Sequence, residues 1–248
     1  MTNYGAMKLG RRAIKKDSRT LRLASYMTPQ LPSAPPNVDW TRGVTHFGQM
    51  LNDSLGDCTI AGIGHALQIW SSNIGSELTV PDATILKYYE LWDGYNPSDP
   101  STDHGGIELD VLNQWKRNTF DGHKLDAFGY VNPANLDHVR LSIWLFGGVY
   151  IGVSLPVSAQ SQEIWDVVEG QQGVPGSWGG HCVFVPKYQS GKSLTCITWG
   201  QPKEMTEAFW LAYCDECYGL VSDDWLTESH APSGFSLDQL RADLNAIS

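Results

Sequence analysis

The sequence predicts an α+β fold with two lobes, a helical N-terminal lobe and an antiparallel β-rich C-terminal lobe, with a cleft between them. The first half of the chain contains stretches with apolar residues three or four apart, the spacing of one buried helix face. The second half contains β-branched runs closed by turn residues, which is typical of strands. At 248 residues, the chain is long enough to bury a sizeable core.

Composition and charge indicate the domain boundaries. Residues 1–36 form a basic N-terminal arm with a proline-rich linker, and they carry a net charge of +6 against −16 for the remainder. Residues 37–248 form the folded domain. Periodicity places the helical lobe over about 45–140, the β lobe over about 147–228 and a C-terminal helix over about 236–247.

The individual elements follow from periodicity and turn residues. A short basic helix is expected over residues 11–26, before an extended proline-rich segment and a short strand over 38–40. The helical lobe is predicted to contain helices over 58–72, 83–91 and 107–115, with a turn-rich loop over 93–106. The β lobe is predicted to contain strands over 149–155, 181–186, 193–198 and 209–213.

Composition also restricts the compartment. No apolar run reaches the length of a membrane span, and the basic N-terminus lacks the apolar core of a signal peptide. Five unevenly spaced cysteines argue against a disulfide framework and indicate a reducing compartment. A cytoplasmic protein without a membrane partner is therefore expected, and a virion is the alternative.

The arm has a charge opposite to that of the remaining chain. It can contact the acidic body of its own chain, a partner in a larger assembly, or nucleic acid, of which nucleic acid is not expected. A solvated, flexible terminus is the plainer interpretation.

Cys58 is the first candidate catalytic residue. Residues 55–57 form a tight turn, and an apolar run with helical spacing begins at Cys58. Asp57 is a favourable N-cap residue, so Cys58 is placed in the first helical turn, where unpaired N–H groups favour a thiolate. The alternative is a buried structural cysteine.

A thiolate mechanism needs a base, and His181 is the best candidate because it follows a glycine-rich turn and begins a strand. His65 lies two turns along the Cys58 helix and is assigned to the core. The single Cys214–Cys217 pair has no second pair of ligands, so incidental cysteines are the preferred interpretation. The loop over 93–106 matches no calcium or zinc motif, so neither a metal nor an organic cofactor is expected.

Together these segments resemble the papain-like cysteine peptidase family, as a divergent bacterial or phage member. The resemblance runs over residues 38–215, through the Cys58 turn, the paired glycines Gly105 and Gly106, the segment beginning at His181, and Trp199-Gly200. It implies a catalytic Cys58 and His181, and a substrate-binding cleft lined by Gly105, Gly106 and Trp199.

Among the departures from the family pattern near the active site, two change the groups that assist Cys58 and His181. Asn52 occupies the position of a Gln that donates to the oxyanion, and it is one methylene shorter. Ile197 occupies the position of the Asn that orients the histidine, which leaves Thr198 as the nearest polar substitute. A histidine oriented by a hydroxyl still works, although less well.

Two functions follow. The first is a cysteine peptidase or related thiol amidase acting on peptide or protein substrates, with Cys58, His181, Asn52 and Thr198 as its catalytic residues. The second is a catalytically degraded papain-fold protein that binds a larger assembly, for example a phage particle, through its basic arm. In the first case the arm can lie across the cleft as a short inhibitory segment.

Overall fold

The computed structural model describes residues 4–25 and 33–225. These residues form one antiparallel sheet with helices packed against it, which confirms the predicted α+β class. The predicted C-terminal helix over 236–247 lies outside the described residues. Within the described part of the chain, no helix is both long and apolar enough to cross a membrane.

The sheet has seven strands, all paired antiparallel. The strands are β1 (Asn37–Asp39), β2 (Ala127–Tyr130), β3 (Val149–Leu155), β4 (Gly179–Gln189), β5 (Ser193–Thr198), β6 (Gln201–Thr206) and β7 (Cys214–Val221). Their order is β2-β7-β3-β4-β5-β6, and β1 pairs with the far end of β4. Strand β4 therefore lies at the centre, and its first residues reach the candidate site.

In the described ranges, five α-helices accompany the sheet: α1 (Cys58–Asn73), α2 (Asp82–Tyr88), α3 (Glu108–Arg117), α4 (Leu136–Phe146) and α5 (Glu207–Tyr213). A π-helical turn, Tyr89–Asp93, extends α2 and accounts for the longer helix predicted there. Helix α1 is buried along its first thirteen residues. Its side chains fill one apolar core together with α3, whereas α4 and α5 pack into a second core with the opposite face of the sheet.

The arm is not helical, contrary to the prediction over 11–26. Among residues 4–25 the structure contains only a short 3₁₀ turn, Leu23–Ser25. The backbone instead forms hydrogen bonds with the body: Arg11 N–H donates to Gly180 O, and Tyr130 N–H donates to Leu21 O. Burial of Leu23 at the second of these contacts adds an apolar anchor that the weak helical periodicity did not indicate.

A second prediction is wrong at residues 209–213, which are helical in α5 rather than a strand. Thr206 caps this helix, because its side chain accepts a hydrogen bond from Phe209 N–H. Phe209, Trp210 and Tyr213 are buried while Leu211 is exposed, so the apolar side chains follow a helical face. Strands β2, β6 and β7 and helix α4 were not predicted.

Gly147 offers a test of the packing in the apolar core that α1 fills. It follows α4 with a positive φ of 74°, and a Cβ there would lie 2.8 Å from the rings of Trp70 and Trp225. We expect Gly147→Ala to lower the free energy of unfolding by about 2–4 kcal/mol, because it combines left-handed strain with a steric clash. Urea denaturation measures this loss.

The matched control is Gly94→Ala, which has a similar φ of 79° but open space around the added methyl group. It should lose only about 1 kcal/mol. Equal losses for the two variants would contradict the packing argument.

Candidate active site

Cys58 is the first residue of α1 and is fully buried. The first N–H groups of a helix have no acceptor inside that helix, so Cys58 stands at the polar end of α1. Strand β4 packs against this end, because Cys182 N–H donates to Cys58 Sγ over 3.4 Å. The structure therefore brings the beginning of β4, where His181 lies, next to the predicted nucleophile.

The thiol is held in its neutral form in this state. Burial raises the pKa of Cys58 to about 12, and the N–H groups of Cys182 and Gly10 that face the sulfur offset only part of that rise. Gly10 belongs to the N-terminal arm. The arm therefore lies directly over the sulfur.

His181 is also fully buried, and its two ring nitrogens have different surroundings. Nε2 lies 2.7 Å from Thr198 Oγ1, whereas Nδ1 has no hydrogen-bond partner among the described residues. Burial lowers the pKa of His181 to about 3, with smaller contributions from His65 and Arg11. The imidazole is therefore neutral, and one nitrogen is free to accept a proton.

The residues that hold His181 come from the end of β5 and the turn after it. Ile197 points into an apolar core, so its neighbour Thr198 faces the opposite side, where it reaches the imidazole. Trp199 follows with a positive φ of 48°, and its ring stacks on His181 with centroids 4.7 Å apart. Thr198 and Trp199 therefore both contact the histidine, at the positions singled out in the sequence.

Asn52 is buried close to the nucleophile, but its amide is already occupied. Asn52 Nδ2 donates to Asp57 Oδ1 over 3.1 Å and more weakly to Leu55 O over 3.5 Å. Asp57 occupies the N-cap position of α1, but its side chain accepts no hydrogen bond from the first turn of the helix. Burial raises the pKa of Asp57 well above its usual range. An oxyanion role for Asn52 stays a prediction.

The paired glycines lie against the arm. Gly106 N–H donates to Gly10 O, and Arg12 N–H donates to Gly106 O, both over 2.8 Å. A Cβ on Gly105 would lie 1.7 Å from Gly10 O, and a Cβ on Gly10 would lie 1.7 Å from Gly56 O. Only glycines allow this close backbone approach.

On the other wall of the cleft, the arm contacts the surroundings of the histidine. Trp199 Nε1 donates to Lys8 O over 3.4 Å, and the Tyr4 ring stacks on Trp199. Residues 4–12 therefore cover Cys58, Gly106 and Trp199 together. The arm contacts the acidic body of its own chain, one of the partners that its charge allowed.

Sequence reasoning missed the residues that hold the arm in place. Arg11 inserts its side chain between Glu108, Asp215 and Glu216. The net charge of the arm was the available signal, but it did not indicate which of seven basic residues is buried.

The other residues considered in the sequence form neither a metal cluster nor a disulfide in the part of the chain that the structure describes. There, no three His, Cys, Asp or Glu side chains are grouped so as to hold a metal ion. Cys214 and Cys217 are free and buried in β7, as are the other cysteines in their own elements. His65 is buried in α1, with Nε2 lying 2.9 Å from Gly48 O.

Comparison with solved structures supports the fold. Xylellain, a cysteine protease from Xylella fastidiosa, superposes with a TM-score of 0.67 at 14% identity, covering 87% of this chain and 96% of its own. Procathepsin B S9 from Trypanosoma congolense gives 0.59 at 10% identity over 89% and 88%. A Carica candamarcensis cysteine protease in complex with E-64 gives 0.53 at 16% identity over 75% and 98%.

No family model matches the sequence, and no curated protein matches it either. At these identities the likeness shows the fold alone. The chain has the fold of the papain-like cysteine proteases.

The shielding of Cys58 by the arm can be tested by displacing the arm. We expect Gly10→Ala to displace the arm, because the new methyl group would clash with Gly56 O. Exposure lowers the pKa of Cys58 from about 12 toward the ordinary cysteine value. At pH 7.5, alkylation of Cys58 by iodoacetamide should therefore accelerate at least ~10²-fold, measured by mass spectrometry of the modified peptide.

Lys16→Ala is the matched control, because Lys16 is an exposed residue of the same arm. It should alkylate at the wild-type rate. A Gly10→Ala rate equal to that of the wild type would show that the arm does not shield the thiol.

Proposed function

We propose that this protein is a cysteine peptidase and that its N-terminal arm keeps it latent. The observation that carries the proposal is the contact between His181 and Thr198, next to a buried Cys58 on which the arm lies. It supports a working base, because a hydroxyl holds one imidazole nitrogen while the other has no hydrogen-bond partner within residues 4–25 and 33–225.

Once the arm has left, water reaches both groups and their pKa values move toward each other. The thiol pKa falls and the imidazole pKa rises, because burial is the main cause of both shifts. His181 Nδ1 then accepts the proton of Cys58, and the imidazolium Nε2–H donates to Thr198 Oγ1. Stacking of Trp199 on the ring keeps its orientation.

The thiolate attacks the carbonyl carbon of a peptide bond, and the oxygen becomes negatively charged. Cys58 N–H at the helix start is the first donor to that oxygen. Asn52 Nδ2 is the second, after it gives up its longer bond to Leu55 O. His181 then protonates the leaving amine, and a water molecule that it activates hydrolyses the thioester.

Peptide cleavage by the opened chain tests this proposal. We expect full-length Gly10→Ala to hydrolyse a peptidyl coumarylamide at least about 10²-fold faster than the wild type. Adding Cys58→Ala should lower kcat by at least about 10³-fold, because the nucleophile is lost. If a contaminating peptidase present in both preparations caused the hydrolysis, adding Cys58→Ala would leave the rate unchanged.

The role of Thr198 has its own test in the opened chain. Thr198→Val keeps the shape but removes the hydroxyl, so we expect kcat to fall roughly 10- to 10²-fold, less than the loss of a whole general base. We also expect the alkaline limb of the pH–rate profile to move to lower pH, because the hydroxyl stabilises the imidazolium and its loss lowers the pKa of His181 in the active ion pair.

Thr198→Ser is the conservative control and should restore most of the rate. If the valine variant kept the full rate, Thr198 would not orient His181. If no opened variant cleaved any peptide, the second hypothesis would gain support, a papain-fold protein that serves as a binding component.

A further inference from the structure

Three carboxyl groups surround the Arg11 side chain in a pocket beside the cleft. Arg11 Nη1 lies 2.7 Å from Asp215 Oδ1 and 3.4 Å from Glu216 Oε2, and Nε lies 4.0 Å from Glu108 Oε1. Arg11 Nη2 also donates to Asp215 Oδ2 and to Ser154 Oγ. In the described part of the chain, no second Arg or Lys contacts these carboxyl groups.

The pocket is a built site rather than a surface contact. The side chains of Arg11, Glu108 and Glu216 are 4%, 0% and 2% exposed. Burial raises the pKa of Glu108 and of Glu216, Glu216 and Asp215 raise that of Glu108 further, and Asp215 raises that of Glu216. Such a cluster is costly unless a cation fills it.

Local backbone geometry explains how two consecutive acids reach one pocket. The pairing of β3 with β7 shifts after Gly152, which pairs with Glu216, so that Val153 pairs with Cys214. Asp215 is the extra residue of this β-bulge. In a regular strand, neighbouring side chains point to opposite faces, whereas here Asp215 and Glu216 both contact one guanidinium.

A glycine on β3 provides the space for the cation. A Cβ on Gly152 would lie 2.4 Å from Arg11 Nη1 and 2.6 Å from Glu108 Oε1. Any larger residue at position 152 would therefore close the pocket.

The position of the pocket relates it to the reaction. The N–H of Gly10 faces the Cys58 sulfur, and the side chain of its neighbour Arg11 fills the pocket. The pocket therefore accepts the side chain of a residue adjacent to the residue that lies at the nucleophile. The arm crosses the sulfur in the direction opposite to a substrate, because Lys8, before Gly10, lies against Trp199 on the histidine side, where the leaving amine of a substrate is protonated. Arg11, after Gly10, therefore takes the place of a residue before the cleaved bond, and this is the second such residue when the scissile carbonyl lies at the sulfur.

We propose that this acidic pocket, once the arm has left it, binds an arginine side chain of the peptide substrate at the second position before the cleaved bond. The inference rests on the proposed peptidase function. Arginine fits better than lysine, because its planar fork can face Asp215, Glu216 and Ser154 at once. The arm therefore occupies the pocket with the group that the substrate supplies.

Matched fluorogenic substrates test the preference with full-length Gly10→Ala. The probes are acetyl-Arg-Gly-coumarylamide and its citrulline counterpart, which has nearly the same shape and no charge. We expect kcat/KM for arginine to exceed that for citrulline at least ~10-fold, as charged hydrogen bonds in a buried site require. Adding Glu216→Gln should reduce that ratio to near one.

Glu169→Gln is the control for charge alone, because Glu169 is an exposed acid outside the pocket, and it should keep the ratio. Adding Gly152→Ala instead should lower kcat/KM for both substrates, because both side chains need the same space.

The outcomes separate the two proposals. Equal cleavage of both substrates, or an unchanged ratio in the Glu216→Gln variant, would overturn the pocket assignment and leave the peptidase function standing. If no peptide were cleaved, and Cys58 failed to react with a peptidyl fluoromethylketone carrying either side chain, the peptidase function would fall with it.

Discussion

The contact between the beginning of α1 and the beginning of β4 fixes the geometry of the whole site. Cys182 N–H lies 3.4 Å from Cys58 Sγ, so the strand that contains His181 cannot move away from the helix that contains the thiol. Both elements are buried, α1 in one apolar core and β4 with side chains in both, and the turn after β5 completes the arrangement. Because Cys58, His181 and Thr198 stand on packed elements rather than on loops, their relative positions are determined by the fold itself.

The arm is held to this body by main-chain pairing and by charge. Backbone hydrogen bonds to Gly106 and Gly180 fix its path, and both require close approach of glycine. The ion cluster around Arg11 adds a buried anchor. A short segment can close the cleft in this way because hydrogen bonds, shape and charge act on the same few residues, whereas the remaining basic residues of the arm are mostly exposed.

The sequence predicted the helix at Cys58 and the strands over 149–155 and 193–198, because periodicity and turn residues agree there. It also indicated Thr198, because Ile197 replaces the residue that would orient His181 and Thr198 is the nearest polar side chain. The path of the arm was not predictable, because it depends on long-range backbone pairing that leaves no local pattern. In the segment Cys214–Cys217, the sequence pattern indicated only the two cysteines. In the structure, the two acids between them contact Arg11, and only the β-bulge brings both acids to one guanidinium.

Acid weakens the ion pairs between Arg11 and the surrounding carboxyl groups, whereas base does not. Nearby carboxylates raise the pKa of the guanidinium above its already high value, so no alkaline condition short of denaturation removes its charge. The pKa values of Glu108 and Glu216 are raised by burial, so these carboxyls take up protons at a higher pH than free ones do. Arg11 lowers both pKa values, so these carboxyls hold a proton less readily with the arm in place than without it. Acidification therefore favours release of the arm, while Arg11 keeps its charge.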